Sequence, residues 1–204
     1  MNPMNPTTPT TARSATLVRK TSETQVSITV NLDGTGRAKV HTGIGFLDHM
    51  LTSLTRHARL DLTLSCTGDL QVDDHHSAED CALALGTAID QALGERRSFA
   101  RFGSAYAPLD EALARAVVDL SGRATAVVNL GLRRESIGDI ATENVTHFFV
   151  SLASTLRAAI HIDVFRGDND HHRAEAAFKA LALALRAAIA RTADEDVPST
   201  KGVL

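Results

Sequence analysis

The sequence has few cysteines, few aromatic residues and little net charge, and each shortage argues against a class of protein. Its 204 residues include two cysteines, Cys66 and Cys81, which form no CxxC pair. They give no disulfide scaffold and favour a reducing, cytoplasmic setting. The formal net charge of −3 gives no general case for nucleic-acid binding. No apolar run reaches the length of a transmembrane segment, so we expect no membrane partner.

Tryptophan is absent and aromatic residues make up 4% of the chain, whereas 44% of it is hydrophobic and rich in alanine. This composition indicates a closely packed protein that can bury a real core. The first 16 residues hold three prolines and many threonines without an apolar period. We interpret residues 1–16 as a disordered tail and expect regular structure from Leu17 onward.

What the chain does contain is a repeated motif, D-H-H-x-A-E, at residues 74–79 and again at 170–175. An Ala/Leu-rich run of helical character follows each copy. Residues three and four apart share a face of a helix, so each glutamate should lie near both histidines of its motif. Imidazole nitrogen and carboxylate oxygen together suit Zn, Mn or Fe. One copy alone could be a polar helix start, but a plain helix start has no reason to repeat.

The same order of elements is predicted in both halves of the chain: strand, strand, helix, strand, helix. In the first half the predicted elements are strands at 23–32 and 37–42 joined by a hairpin turn, a helix at 46–57, a strand at 60–64 and a motif helix ending at Gly94. In the second half they are strands at 112–120 and 123–130, a helix at 143–158, a strand at 160–164 and a motif helix to about Thr192. We infer an internal duplication with pseudo-repeats at about 17–97 and 98–204.

His49 and His147 occupy matching places in the helices that precede the two motifs. Either one alone would more often be an ordinary core or surface histidine, but their symmetry favours a ligand role. Each half then supplies three histidines and one glutamate: His49, His75, His76 and Glu79 from the first, and His147, His171, His172 and Glu175 from the second. Adjacent residues on a helix are about 100° apart. One histidine of a pair can therefore serve a site within the subunit and the other a site shared with a neighbour, and the division stays open.

Several stretches together resemble the imidazoleglycerol-phosphate dehydratase family of histidine biosynthesis. They are GIGFLDHM at 43–50, DDHHSAED at 73–80, DNDHHRAEAAFKA at 168–180, PSTKG at 198–202 and the entry segment RKTSET at 19–24. The resemblance covers nearly the whole chain, so residues 17–204 are expected to form the dehydratase domain. Some bacterial members carry an additional phosphatase domain. Only a short segment precedes Leu17, and we expect no such domain here.

The resemblance implies an α+β fold of two similar halves, like domain 2 of ribosomal protein S5. Each half would have a mixed four-stranded sheet with helices on one face, and the helices would pack between the two sheets. It also implies a homo-oligomer in which trimers assemble into a 24-mer, with active sites at subunit interfaces. The implied cofactor is Mn²⁺, two ions per subunit.

The implied reaction converts imidazoleglycerol phosphate to imidazole-acetol phosphate and water, which makes the enzyme a carbon–oxygen hydro-lyase. The hydrogen to be removed has no neighbouring carbonyl to acidify it, and hydroxide is a poor leaving group. Metal bound to the ring nitrogens would favour the imidazolate. The imidazolate can expel the hydroxyl to give a diazafulvene, from which a general base removes the proton.

The resemblance also assigns roles to individual residues. Glu23 is the expected base, and phosphate needs cationic donors, which arginine supplies bidentately. The expected catalytic residues are Glu23, His49, His76, Glu79, His172 and Glu175. The expected substrate-binding residues are Glu23, His49, His57, His75, Arg101, Arg123, His171, Lys179, Ser199 and Lys201. Without the resemblance, Glu23 would pass as an ordinary carboxylate at a strand edge.

The sequence is also compatible with two alternative functions. One is a different dinuclear metal enzyme, such as a hydrolase that uses a metal-bound hydroxide. The other is a non-catalytic metal-binding or storage protein, which would need neither Glu23 nor the cationic set.

Overall fold

A computed structural model describes residues 12–194 and 196–204. The first half contains β1 (Ser14–Lys20), β2 (Thr24–Asn31), β3 (Ala38–His41), α1 (Gly45–Ala58), β4 (Asp61–Gly68) and α2 (His75–Leu93). The second half contains β5 (Phe102–Leu109), β6 (Ala112–Asp119), β7 (Thr125–Asn129), β8 (Ser136–Ile137), β9 (Ile140–Ala141), α3 (Thr142–Leu156), β10 (Ala159–Arg166) and α4 (Asp170–Ala188).

The two halves repeat one sheet topology. The first sheet has the order β1-β2-β4-β3 and the second β5-β6-β10-β7. In both, the first two pairings are antiparallel and the last one is parallel. Parallel neighbours need a crossover connection, which α1 supplies in the first half and α3 in the second. The predicted duplication into two mixed four-stranded sheets is thus confirmed, with a short β8–β9 hairpin added in the second half.

The helices of the two halves pack against each other between the sheets. Helix α2 contacts β1 and β2 on one side and α3 on the other, while α4 contacts β5 and β6 and also α1. The inner face of β2 carries Val26, Ile28 and Val30, all essentially buried. The inner face of the second sheet is lined by small residues. A Cβ at Gly103 would lie 1.9 Å from the carbonyl oxygen of Ala184. Helix α4 therefore approaches this sheet closely.

The boundary of the predicted N-terminal tail was wrong within the described residues. Strand β1 begins at Ser14, and its first residues pair with the end of β2, as in Ser14 with Asn31. Arg13 adds an ion pair with Asp33, 2.6 Å between Nη2 and Oδ1. The segment has little apolar character because β1 is an edge strand with one exposed face, so the hydrophobic pattern did not reveal it. Residues 1–11 of the predicted tail lie outside the described residues.

The predicted hairpin between the second and third segments was also wrong. Strand β3 does not return along β2 but pairs in parallel with β4 on the far side of the sheet. The connecting loop is held by Asp61 at the start of β4. Its Oδ1 accepts the backbone N–H groups of Thr35, Gly36 and Arg37 at 2.8–3.1 Å. This long-range contact carries the loop across β4, which local turn residues do not encode.

Two further predictions are corrected. The β6–β7 pair was interpreted as consecutive strands joined at Ser121-Gly122, but β7 pairs with β10 instead. Strand β5 was missed, and α4 ends at Ala188 rather than near Thr192. In the described part of the chain, no helix is long and apolar enough to cross a membrane.

Candidate active site: two donor clusters and a separate cationic set

The first donor cluster consists of His49, His171 and Glu175. His49 lies on α1, and His171 and Glu175 lie one turn apart on α4. The Oε2 atom of Glu175 is 3.2 Å from Nε2 of His49 and 3.2 Å from Nε2 of His171. The ring of Phe46 packs edge-on against His171, with 5.2 Å between centroids. Three donor atoms thus converge within 4.8 Å of one another, as a metal site requires.

Lys179 modifies the electrostatics of this first cluster. Its Nζ lies 2.8 Å from Oε1 of Glu175. Burial alone would raise the pKa of Glu175, but the hydrogen bonds from Lys179 and His49 outweigh burial and lower it. Glu175 is therefore an ionised acceptor. His57 also lies near this pair, and burial together with the Lys179 charge lowers its pKa. His57 and Lys179, predicted to bind substrate, thus border the cluster.

The second donor cluster consists of His75, Glu79 and His147. His75 and Glu79 lie one turn apart on α2, and His147 comes from α3. Nε2 of His147 is 3.1 Å from Oε1 of Glu79, and the rings of His75 and His147 stack at 4.9 Å between centroids. The three donor atoms again lie within 4.8 Å of one another.

Each cluster combines predicted ligands from both halves of the chain. The motif histidine and glutamate of each half combine with the single histidine of the other half. His49 of the first half thus joins His171, and His147 of the second half joins His75. This exchange follows from the packing of α1 against α4 and of α2 against α3. Spacing along the chain groups His49 with the first motif and gives no sign of the exchange.

The other motif histidines, His76 and His172, belong to neither cluster. His76 Nδ1 contacts the carboxylate of Asp69 at 3.1–3.2 Å, and His172 Nδ1 contacts Glu111 Oε2 at 2.7 Å. These hydrogen bonds raise the pKa of both histidines. The step of about 100° between adjacent helical residues turns them away from their neighbours. Neither histidine joins the donor cluster that contains the other histidine of its motif.

Sequence reasoning missed the residues that support these donors. Asn144 on α3 contacts His75 Nδ1 through its Oδ1 at 2.8 Å, and Asp74 accepts a hydrogen bond from the Asn144 amide at 3.0 Å. A histidine held at Nδ1 is free to use Nε2 as a donor. The first Asp of the D-H-H-x-A-E motif was the available signal, because it repeats with the histidines.

Glu23, the predicted base, lies in the turn between β1 and β2 rather than within the strand. Its backbone N–H donates to the hydroxyl of Thr21 at 3.2 Å. Its carboxylate is exposed and makes no hydrogen bond or ion pair with the described residues. The carboxylate is close enough to His76 to contribute to that histidine's raised pKa. Glu23 and His76 therefore share one exposed side of the first half.

Arg101 lies beside the last residue of α4, at the opposite end of that helix from His171 and the first donor cluster. Its backbone N–H donates to the carbonyl of Ala188 at 2.9 Å. Its guanidinium pairs with Asp119, 2.7 Å from Nε to Oδ1, and donates to the carbonyl of Pro198 at 2.8 Å. The second contact attaches the C-terminal segment to Arg101.

The C-terminal segment brings the other predicted phosphate ligands to the same end of the molecule. Ser199 follows Pro198, and its hydroxyl accepts the backbone N–H of Lys201 at 3.2 Å. Leu204 lies against Gly122, where a Cβ would be 2.6 Å from the Leu204 carbonyl carbon. Arg123 is the next residue and is exposed. Arg101, Arg123, Ser199 and Lys201 are thus grouped in one region.

One chain does not combine this cationic region with the first donor cluster. His171 stands at the beginning of α4 and Ala188 at its end. At 1.5 Å of rise per residue the two are about 25 Å apart. Of the predicted phosphate ligands, only Lys179 accompanies the donor cluster.

A duplicated α+β fold with two clusters of two histidines and one glutamate places the chain in the class of candidate metal-binding enzymes. A family model, imidazoleglycerol-phosphate dehydratase, matches residues 42–185. A relative of that name from Chlorobium luteolum is 57% identical over 192 residues, which cover 94% of this chain and 96% of the relative. Another, from Phytophthora nicotianae, is 59% identical over 94% of this chain, but the match spans only 42% of that longer protein.

Solved structures similar to this chain belong to the same family as these relatives. Imidazoleglycerol-phosphate dehydratase from Staphylococcus aureus superposes with a TM-score of 0.78 at 38% identity, covering 88% of this chain and 99% of that one. The enzyme from Pyrococcus furiosus, in complex with (S)-C348, gives a TM-score of 0.77 at 37% identity, covering 92% and 100%. The chain belongs to the imidazoleglycerol-phosphate dehydratase family. It is by this membership a dehydratase of histidine biosynthesis, a carbon–oxygen hydro-lyase.

Proposed function

We propose that the chain converts imidazoleglycerol phosphate to imidazole-acetol phosphate and water with two Mn²⁺ ions per subunit. The observation that carries the proposal is the pair of donor clusters. Each offers two imidazole nitrogens and one carboxylate oxygen within 4.8 Å. Such mixed nitrogen and oxygen donors suit Mn, Fe or Zn.

The donor set fits a resident metal ion in its details. In the first cluster, Glu175 is held ionised by Lys179 and turns its other oxygen toward both histidines. In the second, the Oδ1 atom of Asn144 contacts Nδ1 of His75, which leaves Nε2 of His75 to bind a metal ion. Three protein donors leave coordination positions free for further ligands. We expect His76 and His172 to fill such positions in sites of a neighbouring copy, because they belong to neither cluster of their own chain.

Bound metal would supply Lewis-acid polarisation of the substrate's imidazole ring, which eases departure of the hydroxyl from the adjacent carbon. The chain's own groups supply the rest. The carboxylate of Glu23 makes no hydrogen bond or ion pair with the described residues, so it can accept the proton from the second carbinol carbon. The cationic region at the end of α4 would hold the phosphate, with Arg101 and Lys201 as donors.

An active site of this kind requires more than one copy of the chain. The cationic region and the first donor cluster stand about 25 Å apart along α4, farther than a small phosphorylated metabolite can reach. The outer face of the second sheet also exposes large apolar side chains, as an assembly surface would: Phe102, Tyr106, Val117, Val127 and Phe165. These features support an assembly of several copies with shared active sites, which by the family resemblance would be trimers that form a 24-mer.

A cytoplasmic setting remains a prediction. Cys66 and Cys81 are both buried and unpaired, as is usual for proteins kept in a reducing compartment.

The decisive experiment incubates Mn-loaded protein with imidazoleglycerol phosphate. We expect imidazole-acetol phosphate to form without release of inorganic phosphate, and metal analysis should find two ions per subunit. Phosphate release without ketone formation would support a hydrolase instead. Metal binding with no turnover at all would support a storage role. One ion per subunit in fully active enzyme would contradict the two-cluster site.

A further inference from the structure

The turns that join the first two strands of each half are structural equivalents. Both precede the strand that pairs with the edge strand of its sheet, β2 in the first half and β6 in the second. Glu23 is the last residue before β2, and Glu111 is the last residue before β6. The two carboxylates therefore occupy the same place in the duplicated fold.

Their hydrogen bonds differ. Glu111 is engaged by three hydrogen bonds. Oε1 accepts the backbone N–H groups of Asp168 and Asn169, both at 3.0 Å, and Oε2 contacts Nδ1 of His172 at 2.7 Å. The Glu23 carboxylate has no such partner among the described residues. In the first half, the contact to His76, the counterpart of His172, comes from Asp69 in the loop before α2.

The contact with Glu111 determines which ring nitrogen of His172 can bind a metal ion. An ionised carboxylate only accepts hydrogen bonds, so the proton of the imidazole must lie on Nδ1. In the neutral imidazole, Nε2 is then left with its lone pair. On that side the nearest carboxylate is Asp110, with Oδ2 3.9 Å away and exposed to solvent. Because Oε1 is fixed to the loop before α4, the ring is oriented as well.

We propose that Glu111 is the positioning residue that orients His172 and keeps its Nε2 available as a ligand to a metal site of a neighbouring copy. The proposal rests on the ligand role of His172 in the proposed function. It also assigns different roles to the two equivalent carboxylates. Glu23 is free for proton transfer, whereas Glu111 is committed to a histidine and is not the base.

The substitution Glu111→Gln tests the proposal by reversing the polarity of one hydrogen bond. The amide oxygen of glutamine can still accept the two backbone N–H groups, so the loop before α4 is retained. The amide NH₂ would then donate to Nδ1 of His172, which moves the ring proton to Nε2 and blocks that donor. Loss of a carboxylate that supports a metal-ligating histidine costs about 10- to 100-fold in metal affinity.

The measurement is Mn²⁺ titration of metal-free protein, followed by the electron paramagnetic resonance signal of the free ion. Thermal unfolding of the metal-free protein is recorded alongside. In Glu111→Gln we expect one of the two ions per subunit to bind about 10- to 100-fold more weakly, with the unfolding midpoint of the metal-free form unchanged. Glu23→Gln is the matched control, being the same chemical change at the equivalent turn, and it should retain both affinities.

Each outcome decides for or against the proposal. Unchanged Mn²⁺ affinity in Glu111→Gln would overturn it. A weaker affinity that merely follows a lower unfolding midpoint of the metal-free form would also overturn it, because the role is then structural. His172→Ala separates this failure from that of the proposed function. If His172→Ala itself leaves both ions in place, the ligand assignment of His172 is wrong.

A second measurement does not depend on the variant folding. A crystal structure of the Mn-loaded, unmodified protein should retain the contact between Glu111 and Nδ1 of His172, with Nε2 on the metal. Glu111 turned away from the ring, or the metal on Nδ1, would overturn the proposal.

Discussion

The substitution Gly86→Ala should distort one donor cluster and leave the other intact. Gly86 lies on α2 where this helix crosses α3. A Cβ there would meet Thr155 Oγ1 at 2.3 Å, the Leu152 carbonyl oxygen at 2.7 Å and the Leu156 backbone nitrogen at 2.8 Å. The hydroxyl can rotate away, but the two backbone atoms cannot. The two helices must therefore move apart.

The size of that displacement follows from ordinary contact distances. Ordinary nonbonded contacts lie at about 3.5 Å, so the α3 backbone must retreat by roughly 0.7–0.8 Å. Overpacking of this kind costs about 1–3 kcal/mol. Alanine offsets about 1 kcal/mol of this cost through its better helix propensity. We expect a net loss of up to about 2 kcal/mol in the free energy of unfolding of the metal-free protein.

The effect on metal binding should be selective. Glu79 lies on α2 and His147 on α3, so the second donor cluster spans the displaced pair. Ligand distances in metal sites hold to about 0.2 Å, which is less than the expected displacement. The first donor cluster spans α1 and α4 and should be unaffected. Mn²⁺ titration should therefore show one weakened ion per subunit and one that binds as before.

Ala182→Gly is the matched control, because Ala182 occupies the place in α4 that Gly86 occupies in α2. It removes a methyl group, costs about 1 kcal/mol of helix propensity and creates no steric conflict. Both ions should be retained in this variant. The reasoning is refuted if Gly86→Ala is as stable as the unmodified protein and binds both ions normally, or if Ala182→Gly loses an ion to the same extent.

Four further outcomes are expected. Glu23→Gln should keep its metal content and assembly but lose about 10²- to 10⁴-fold in turnover; near-normal kcat would place the base elsewhere. Lys201→Ala should raise KM with little change in kcat, because a phosphate contact remote from the reacting carbon binds ground and transition states alike; a loss confined to kcat in steady-state kinetics would argue against it. Chelation should shrink the particle toward trimers in size-exclusion chromatography, since metal that bridges copies stabilises only the assembled state; an unchanged particle from which the metal has demonstrably been removed would contradict this. Burial alone would raise the pKa of Asp33, but Arg191 and Arg13 lower it. Its stabilising contribution should therefore be present above its unfolded pKa of about 3.9 and be lost as pH falls through the depressed value. Asp33→Asn should accordingly lower the thermal midpoint at pH 7, with the difference closing below about pH 4; a difference that does not change with pH would show that charge is not the cause.

The local elements were predictable where a pattern stays within one segment. The motif helices were predicted because their apolar period and their i, i+4 spacing are properties of a single helix. Strand β2 was predicted because Val26, Ile28 and Val30 alternate on one buried face. Strand β5 escaped prediction. Its buried positions include Gly103 and Ala107, which carry little hydrophobic signal because α4 lies so close to them.

Strand order depended on contacts that no local pattern records. The loop after β2 looks like a hairpin turn, and only the side chain of Asp61, 25 residues beyond Gly36, carries it over to the far edge of the sheet. The same holds for β7, whose partner β10 lies beyond a whole helix. Turn residues permit a reversal of the chain but do not say which strand the next one joins.

The candidate site, too, was predictable only in part from the sequence. The sequence by itself indicated the candidate donors, because histidine and glutamate one helical turn apart share a face, and it indicated two such sets, because the motif repeats. Only the tertiary structure decided that His49 joins the second motif and His147 the first. That pairing depends on how α1 packs against α4 and α2 against α3. It likewise decided that Glu111 contacts His172 while the Glu23 carboxylate has no hydrogen-bond partner among the described residues, because the partners of a carboxylate are set by the loops that folding brings beside it.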